Sequence, residues 1–217
     1  CDLLAARDAG LLGKIVSIEA AEHIFPYHGA FFMRDWRRYE KWSGSFMLEK
    51  CCHDLDLYNG LIGARPERVA SFGGRKSFIP ENDPAREGIN DLELFHRKPS
   101  GWLGSDKVFD SDADIIDYQV AIVEYENGVG MNLHTNLNVP DQFRRFAIVG
   151  SRGMAEGDFV RGFVFVGGVF WLLAGGVVVR ANLLAQCLRR QAVAAQQVGG
   201  QPFAFLGQTD QEMLWTE

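Results

Sequence analysis

Asn127-Gly128 lies between two segments of alternating polarity, 116–126 and 129–138, and no other feature narrows the fold of this chain as much. In the second segment Val129, Met131 and Leu133 share one face, while Asn132, His134 and Asn136 share the other. An Asn-Gly link between two such segments suits a type I′ turn, whose central residues both need positive φ, so the pattern predicts a β-hairpin. A hairpin with one apolar and one polar face needs a covering layer on the apolar side. Further strands are expected over 14–20, 67–72 and 143–149.

Apolar residues at Leu48, Cys51, Cys52, Leu55, Tyr58 and Ile62 follow the helical period and predict one helix over 43–62. Ser43 or Ser45 can cap it, Gly63 ends it, and Pro66 blocks continuation. Residues 2–9 read as a helix end stopped by Gly10 and Gly13. The aromatic-rich stretch 23–38, with Pro26 and Gly29, reads as a loop, and 75–114 as a long irregular connection.

The 217 residues are enough for one substantial core. With 47% apolar and 23% charged residues the chain is a folded protein, and a net charge of −6 argues against nucleic-acid binding. Cys1, Cys51, Cys52 and Cys187 are too unevenly spaced for a disulfide framework, which fits a reducing, cytoplasmic setting. The uncharged stretch 162–179 is long enough to raise the question of a membrane span. Its two Gly-Gly pairs and its Val and Phe runs favour short strands, with a helix following from about Ala181.

The chemistry is concentrated in Glu49-Lys50-Cys51-Cys52-His53-Asp54-Leu55-Asp56. On a continuous helix Glu49, His53 and Asp56 fall within about 60° of one another, at the edge of the apolar arc. A carboxylate beside an imidazole fixes its tautomer and raises its pKa, as a general base near neutral pH requires. The plainer alternative is a solvated helix face with pairs such as Lys50–Asp54. His23, His28, Glu49, His53, Asp54 and Asp56 could also supply metal ligands, although no HExxH, paired CxxC or EF-hand spacing is present, so no metal site is assigned. No GxGxxG or GxxxxGK[ST] occurs, so a pyrophosphate-binding motif is absent from this sequence.

GLLGKIVSIEA (10–20), RDWR (34–37), the segment 43–74 and DYQVAIVEYENGVGMNLHTN (117–136) resemble the Gfo/Idh/MocA oxidoreductases, the glucose–fructose oxidoreductase and inositol dehydrogenase-like enzymes. The resemblance spans about 3–163 and matches only the C-terminal half of such enzymes. It implies an α+β fold, a mostly antiparallel open sheet with helices on one face. On this reading 1–160 is a substrate-binding and oligomerisation domain, and 161–217 a divergent tail packed on it. It also implies NAD or NADP in the full-length enzyme, held by a Rossmann half outside this sequence, with cofactor-binding residues here unknown. The family's acidic residue, three others, then His match Glu49 and His53, making His53 the base that takes a hydroxyl proton. Arg34, Trp36 and Asp56 match positions near the substrate. The implied substrate is a sugar or cyclitol, and the implied partner a second subunit on the sheet's other face. A non-catalytic binding or assembly module, and a metal-assisted lyase or isomerase, are the competing readings.

Overall fold

The computed structural model describes residues 2–89, 95, 102–168 and 177–180. Among the described residues eight strands form one sheet: β1 (Ile15–His23), β2 (Pro66–Gly74), β3 (Tyr118–Tyr125), β4 (Gly130–Asn136), β5 (Phe143–Gly150), β6 (Gly153–Asp158), β7 (Phe163–Gly168) and β8 (Val177–Arg180). Their order is β2-β3-β4-β1-β5-β6-β7-β8. β1 and β4 run parallel and all other neighbours antiparallel. The α+β open sheet expected from the sequence is therefore the fold.

The hairpin forms at 118–136, but its turn differs from the expected one. Gly128 has φ 81°, whereas Asn127 is not among the residues with positive φ. Tyr125 N–H donates to Val129 O (2.9 Å) and Gly128 N–H to Tyr125 O (2.8 Å). These bonds close a three-residue loop, Glu126 to Gly128, with glycine in the left-handed position, a common alternative to the two-residue type I′ turn. The facial assignment holds: Val129, Met131 and Leu133 are buried, and Asn132 and His134 are exposed.

The helical layer covers that buried face. It comprises α1 (Asp2–Asp8), α2 (Pro26–Arg34), α3 (Glu40–Ser43), α4 (Ser45–Glu49) and α5 (Cys52–Ile62). Its core residues include Leu3, Phe32, Met33, Phe46, Tyr58 and Leu61, in one cluster with Ile18, Val123, Met131, Leu133, Phe146 and Ile148 of the sheet. Burying each large apolar side chain of this kind contributes roughly 1.5–3 kcal/mol.

The expected loop over 23–38 is instead the last residue of β1, then α2 and a short 3-10 turn at Trp36–Arg38. Pro26 opens α2 at its first turn, where a missing N–H costs nothing. Gly29 lies inside the helix because a Cβ there would stand 1.8 Å from the Leu137 carbonyl oxygen. The expected single helix over 43–62 is also interrupted. Gly44, at φ 68°, ends α3, and Lys50 and Cys51 separate α4 from α5. Leu48, expected in the core, is 63% exposed, whereas Cys51, Tyr58 and Ile62 are buried.

Over 162–179 the described residues form β7 and β8, so the strand reading holds at both ends; 169–176 and the helix expected from Ala181 lie outside the described residues. No helix among the described residues is long and apolar enough to cross a membrane. Residues 75–89 and 102–117 are largely irregular, as expected. The connection is pinned by Asp117, fully buried, which accepts N–H groups from Lys76 (2.9 Å), Ser77 (2.8 Å) and Phe78 (2.8 Å).

Candidate active site

The break at Lys50–Cys51 places Glu49 at the end of α4, and His53 and Asp56 on α5. The three residues therefore do not share one helix. Lys50 and Asp54 do not pair with each other either, and each reaches a partner on the sheet. Lys50 Nζ lies 3.4 Å from Glu22 Oε1, and Asp54 Oδ1 accepts from Arg144 Nη2 at 2.8 Å.

The Glu49 carboxylate is held by Arg37, whose Nε donates to Oε1 at 2.6 Å. Arg37 Nη1 donates to Asp35 Oδ2 and its backbone N–H to Asp35 Oδ1, both at 2.8 Å. Asp35 is fully buried, and burial raises its pKa against the pull of Arg37. The guanidinium lies 4.4 Å from the Trp36 ring centre and 5.0 Å from that of Phe31, in cation–π range. Arg37 was not singled out from the sequence, yet it organises Asp35, Trp36 and Glu49.

His53 is exposed on α5, and among the described residues it has no hydrogen bond to Glu49. Asp56 is exposed on the same helix. Trp36 is half-buried beneath Arg37. Arg34 is buried at the end of α2, where its Nε donates to Ala30 O (3.3 Å) and its carbonyl receives Ser105 N–H (2.6 Å). A concavity of about 370 Å³ lies on the open sheet face and is lined by Ser17, Glu19, Ile122, Asn132 and Val149 among others.

Behind the α4–α5 junction lies a charge cluster the sequence reading missed. Glu22 and Asp54 are 1% and 2% exposed, and both pair with Arg144: Nε to Glu22 Oε2 at 2.6 Å, Nη2 to Asp54 Oδ1 at 2.8 Å. Burial and the neighbouring Asp54 push the Glu22 carboxyl up to about 7, against the pull of Arg144 and Lys50. The signal was available: Glu22 has the strand parity of Ile18 and Ala20, and Arg144 that of Phe146 and Ile148. Cys51 is buried within this surrounding, and burial pushes its thiol well up, so it is not a poised nucleophile.

On the open face His23 stacks on Phe143 (4.4 Å) and meets His134 edge-on (4.6 Å). Burial, then the nearby His134 and Arg145, lower the His23 pKa to about 4. Among the described residues no three His, Cys, Asp or Glu side chains are arranged to hold a metal ion.

The open, mostly antiparallel sheet with helices on one face is the architecture of a class: the C-terminal alpha/beta domain of the oxidoreductase family. The chain belongs to that family. Residues 8–167 match the family of the oxidoreductase C-terminal alpha/beta domain. The chain is similar to YteT of Bacillus subtilis (strain 168), whose name assigns it provisionally to the oxidoreductases: 25% identity over 183 residues, covering 69% of this chain and 43% of that protein. Its fold is that of an NAD binding oxidoreductase from Klebsiella pneumoniae (TM-score 0.57, 15% identity, 82% of this chain and 43% of the other). It also matches a levoglucosan dehydrogenase in complex with NADH and L-sorbose (TM-score 0.55, 16% identity, 82% and 43%). The chain thus spans less than half the length of each of these proteins.

Proposed function

We propose that this chain is the substrate-side domain of a NAD- or NADP-dependent sugar or cyclitol oxidoreductase, with His53 as general base. The observation that carries the reading is an exposed histidine four residues after a carboxylate fixed by an Arg–Asp clamp, in a chain of this family. The NADH and L-sorbose bound to levoglucosan dehydrogenase support the cofactor and substrate classes. The nicotinamide, held outside the described residues, would supply hydride chemistry at a carbinol carbon.

The residues of this chain handle the proton and the substrate's position. An imidazole nitrogen of His53 takes the hydroxyl proton and passes it to water, for which its exposed place on α5 is suited. Glu49 binds or orients the polyol, and Trp36 and Asp56 lie on the two segments that flank it. Arg34, the buried first residue of the RDWR segment, ties that segment to Ser105 through its backbone carbonyl. The open sheet face, with Phe72, Val120, Ile122, Val149 and Phe163 exposed, serves as the contact for a second copy of the chain.

In the full-length protein, reduction of NAD and NADP by a panel of aldoses and cyclitols tests the proposal. His53→Ala should lower turnover by about 10²–10⁴-fold while nicotinamide binding is retained. Turnover equal to the wild type would remove His53 from the mechanism. Absence of turnover with every polyol, in a protein that still dimerises, would favour an assembly module.

A further inference from the structure

The Arg37–Glu49 pair leaves one donor and one acceptor unused. Arg37 spends Nε on Glu49 Oε1 and Nη1 on Asp35 Oδ2. Among the described residues its Nη2 and the Glu49 Oε2 make no hydrogen bond, and both side chains are about one-quarter exposed. Nη2 is a pure donor and a carboxylate oxygen a pure acceptor. Nε and Nη2 occupy one edge of the planar guanidinium, so Nη2 lies beside the nitrogen that grips Glu49. The guanidinium cannot swing away cheaply, because Asp35 holds it from behind and the Trp36 ring faces it at 4.4 Å.

We infer that Arg37 is a substrate-binding residue, and that with Glu49 it recognises two adjacent hydroxyls of a cyclic polyol. Nη2 donates to the oxygen of one hydroxyl, and Glu49 Oε2 accepts the proton of its neighbour. A 1,2-diol presents an acceptor and a donor on neighbouring carbons, as adjacent groups of one guanidinium edge and the carboxylate it grips require, and a 1,3-diol separates them by one further carbon. The inference rests on the reading that substrate meets the Glu49–His53 side of the chain. It goes further in assigning Arg37 a contact and in naming the pattern of hydroxyls selected. Lysine cannot replace arginine here, since a single ammonium has no planar fork with which to grip two carboxylates and a hydroxyl at once.

The test is a titration of the 217-residue chain with cis-1,2-cyclohexanediol and, separately, cis-1,3-cyclohexanediol, followed by NMR at the Arg37 Nε–H and the His53 ring protons. The inference expects the 1,2-diol to move both signals and the 1,3-diol to move neither. It also expects Arg37→Lys, with otherwise wild-type dispersion, to weaken 1,2-diol binding about tenfold or more, the loss of roughly one hydrogen bond to a charged group. Movement of His53 alone, or equal response to both diols, would overturn the role of Arg37 and leave the His53 site standing. No movement at either residue would overturn both. The wild-type titration decides between these outcomes even if Arg37→Lys fails to fold.

Discussion

Arg144→Met is the most informative single perturbation of this fold. Arg144 neutralises two carboxylates, Glu22 and Asp54, that are 1% and 2% exposed. Its removal leaves both facing Lys50 alone, which contacts only Glu22 and at 3.4 Å. Breaking a buried ion pair from one side costs about 3–5 kcal/mol, a large share of the roughly 5–15 kcal/mol that holds a domain together. The loss must depend on pH, and the sign follows from Glu22. Its folded-state pKa stands at about 7 against an ordinary 4.5. Between those values the native state holds a proton the unfolded chain has released. This group's contribution is therefore fully present below pH 4.5 and is lost as pH rises through 7. At 1.36 kcal/mol per unit the ionised form costs on the order of 3 kcal/mol. Without Arg144 the carboxyl protonates more readily still, so the penalty at pH 5 should be visibly smaller than at pH 8. Glu22→Gln should gain on the wild type as pH rises over this window, and the double variant should recover part of the Arg144→Met loss at pH 8. Urea unfolding followed by circular dichroism at the two pH values measures all four proteins. An Arg144→Met protein within about 1 kcal/mol of wild type at pH 8, or a loss independent of pH, would refute the account of the cluster.

Three other outcomes are expected. His23, with its pKa lowered to about 4, gives stability that is present above pH 6.5 and is lost as pH falls through 4. His23→Phe should flatten that acid limb in the same unfolding assay, and an unchanged limb would contradict the shift. If the open sheet face joins two copies, Ile122→Glu, at a position 60% exposed, should give a monomer by sedimentation where the wild type is a dimer; a wild type monomeric at high concentration would end that proposal. In the full-length protein, His53→Ala should lose turnover without losing nicotinamide affinity, as read by steady-state rates and fluorescence titration.

The sheet was legible because its information is local. Alternation along 129–136 assigns each side chain to a face without knowledge of any other strand, and burial follows that parity residue by residue. The turn was less legible: Asn127-Gly128 suits a two-residue or a three-residue loop, and the bond from Tyr125 to Val129 selects the latter. β6 was missed because Gly153, Gly157 and two acidic residues dilute its pattern, and pairing with both β5 and β7 outweighs propensity. α2 was missed because Gly29 looks like a breaker until Leu137 is brought against it.

The helix break was illegible for a different reason. By period alone 43–62 is one amphipathic helix, and nothing within those residues conflicts with that. The competing contacts come from β1 and β5, with Glu22 taking Lys50 and Arg144 taking Asp54. A continuous helix would place Lys50 and Asp54 four apart on one side, where their mutual attraction is worth only about 0.2–0.5 kcal/mol. Two buried carboxylates left without partners would cost several kcal/mol more than that. At the junction Lys50 N–H keeps its bond to Phe46 O (2.9 Å) while Cys51 N–H reaches back to the same carbonyl (3.3 Å), and the side chains of Lys50 and Asp54 meet charges 28 and 90 residues away in sequence. The same junction moves Glu49 away from the expected contact with His53 and towards Arg37, a residue of the RDWR segment. A pattern of three residues on one helix thus becomes a meeting of two segments, with the buried ion cluster on the sheet side of the junction and Arg37 joined to the candidate site through Glu49.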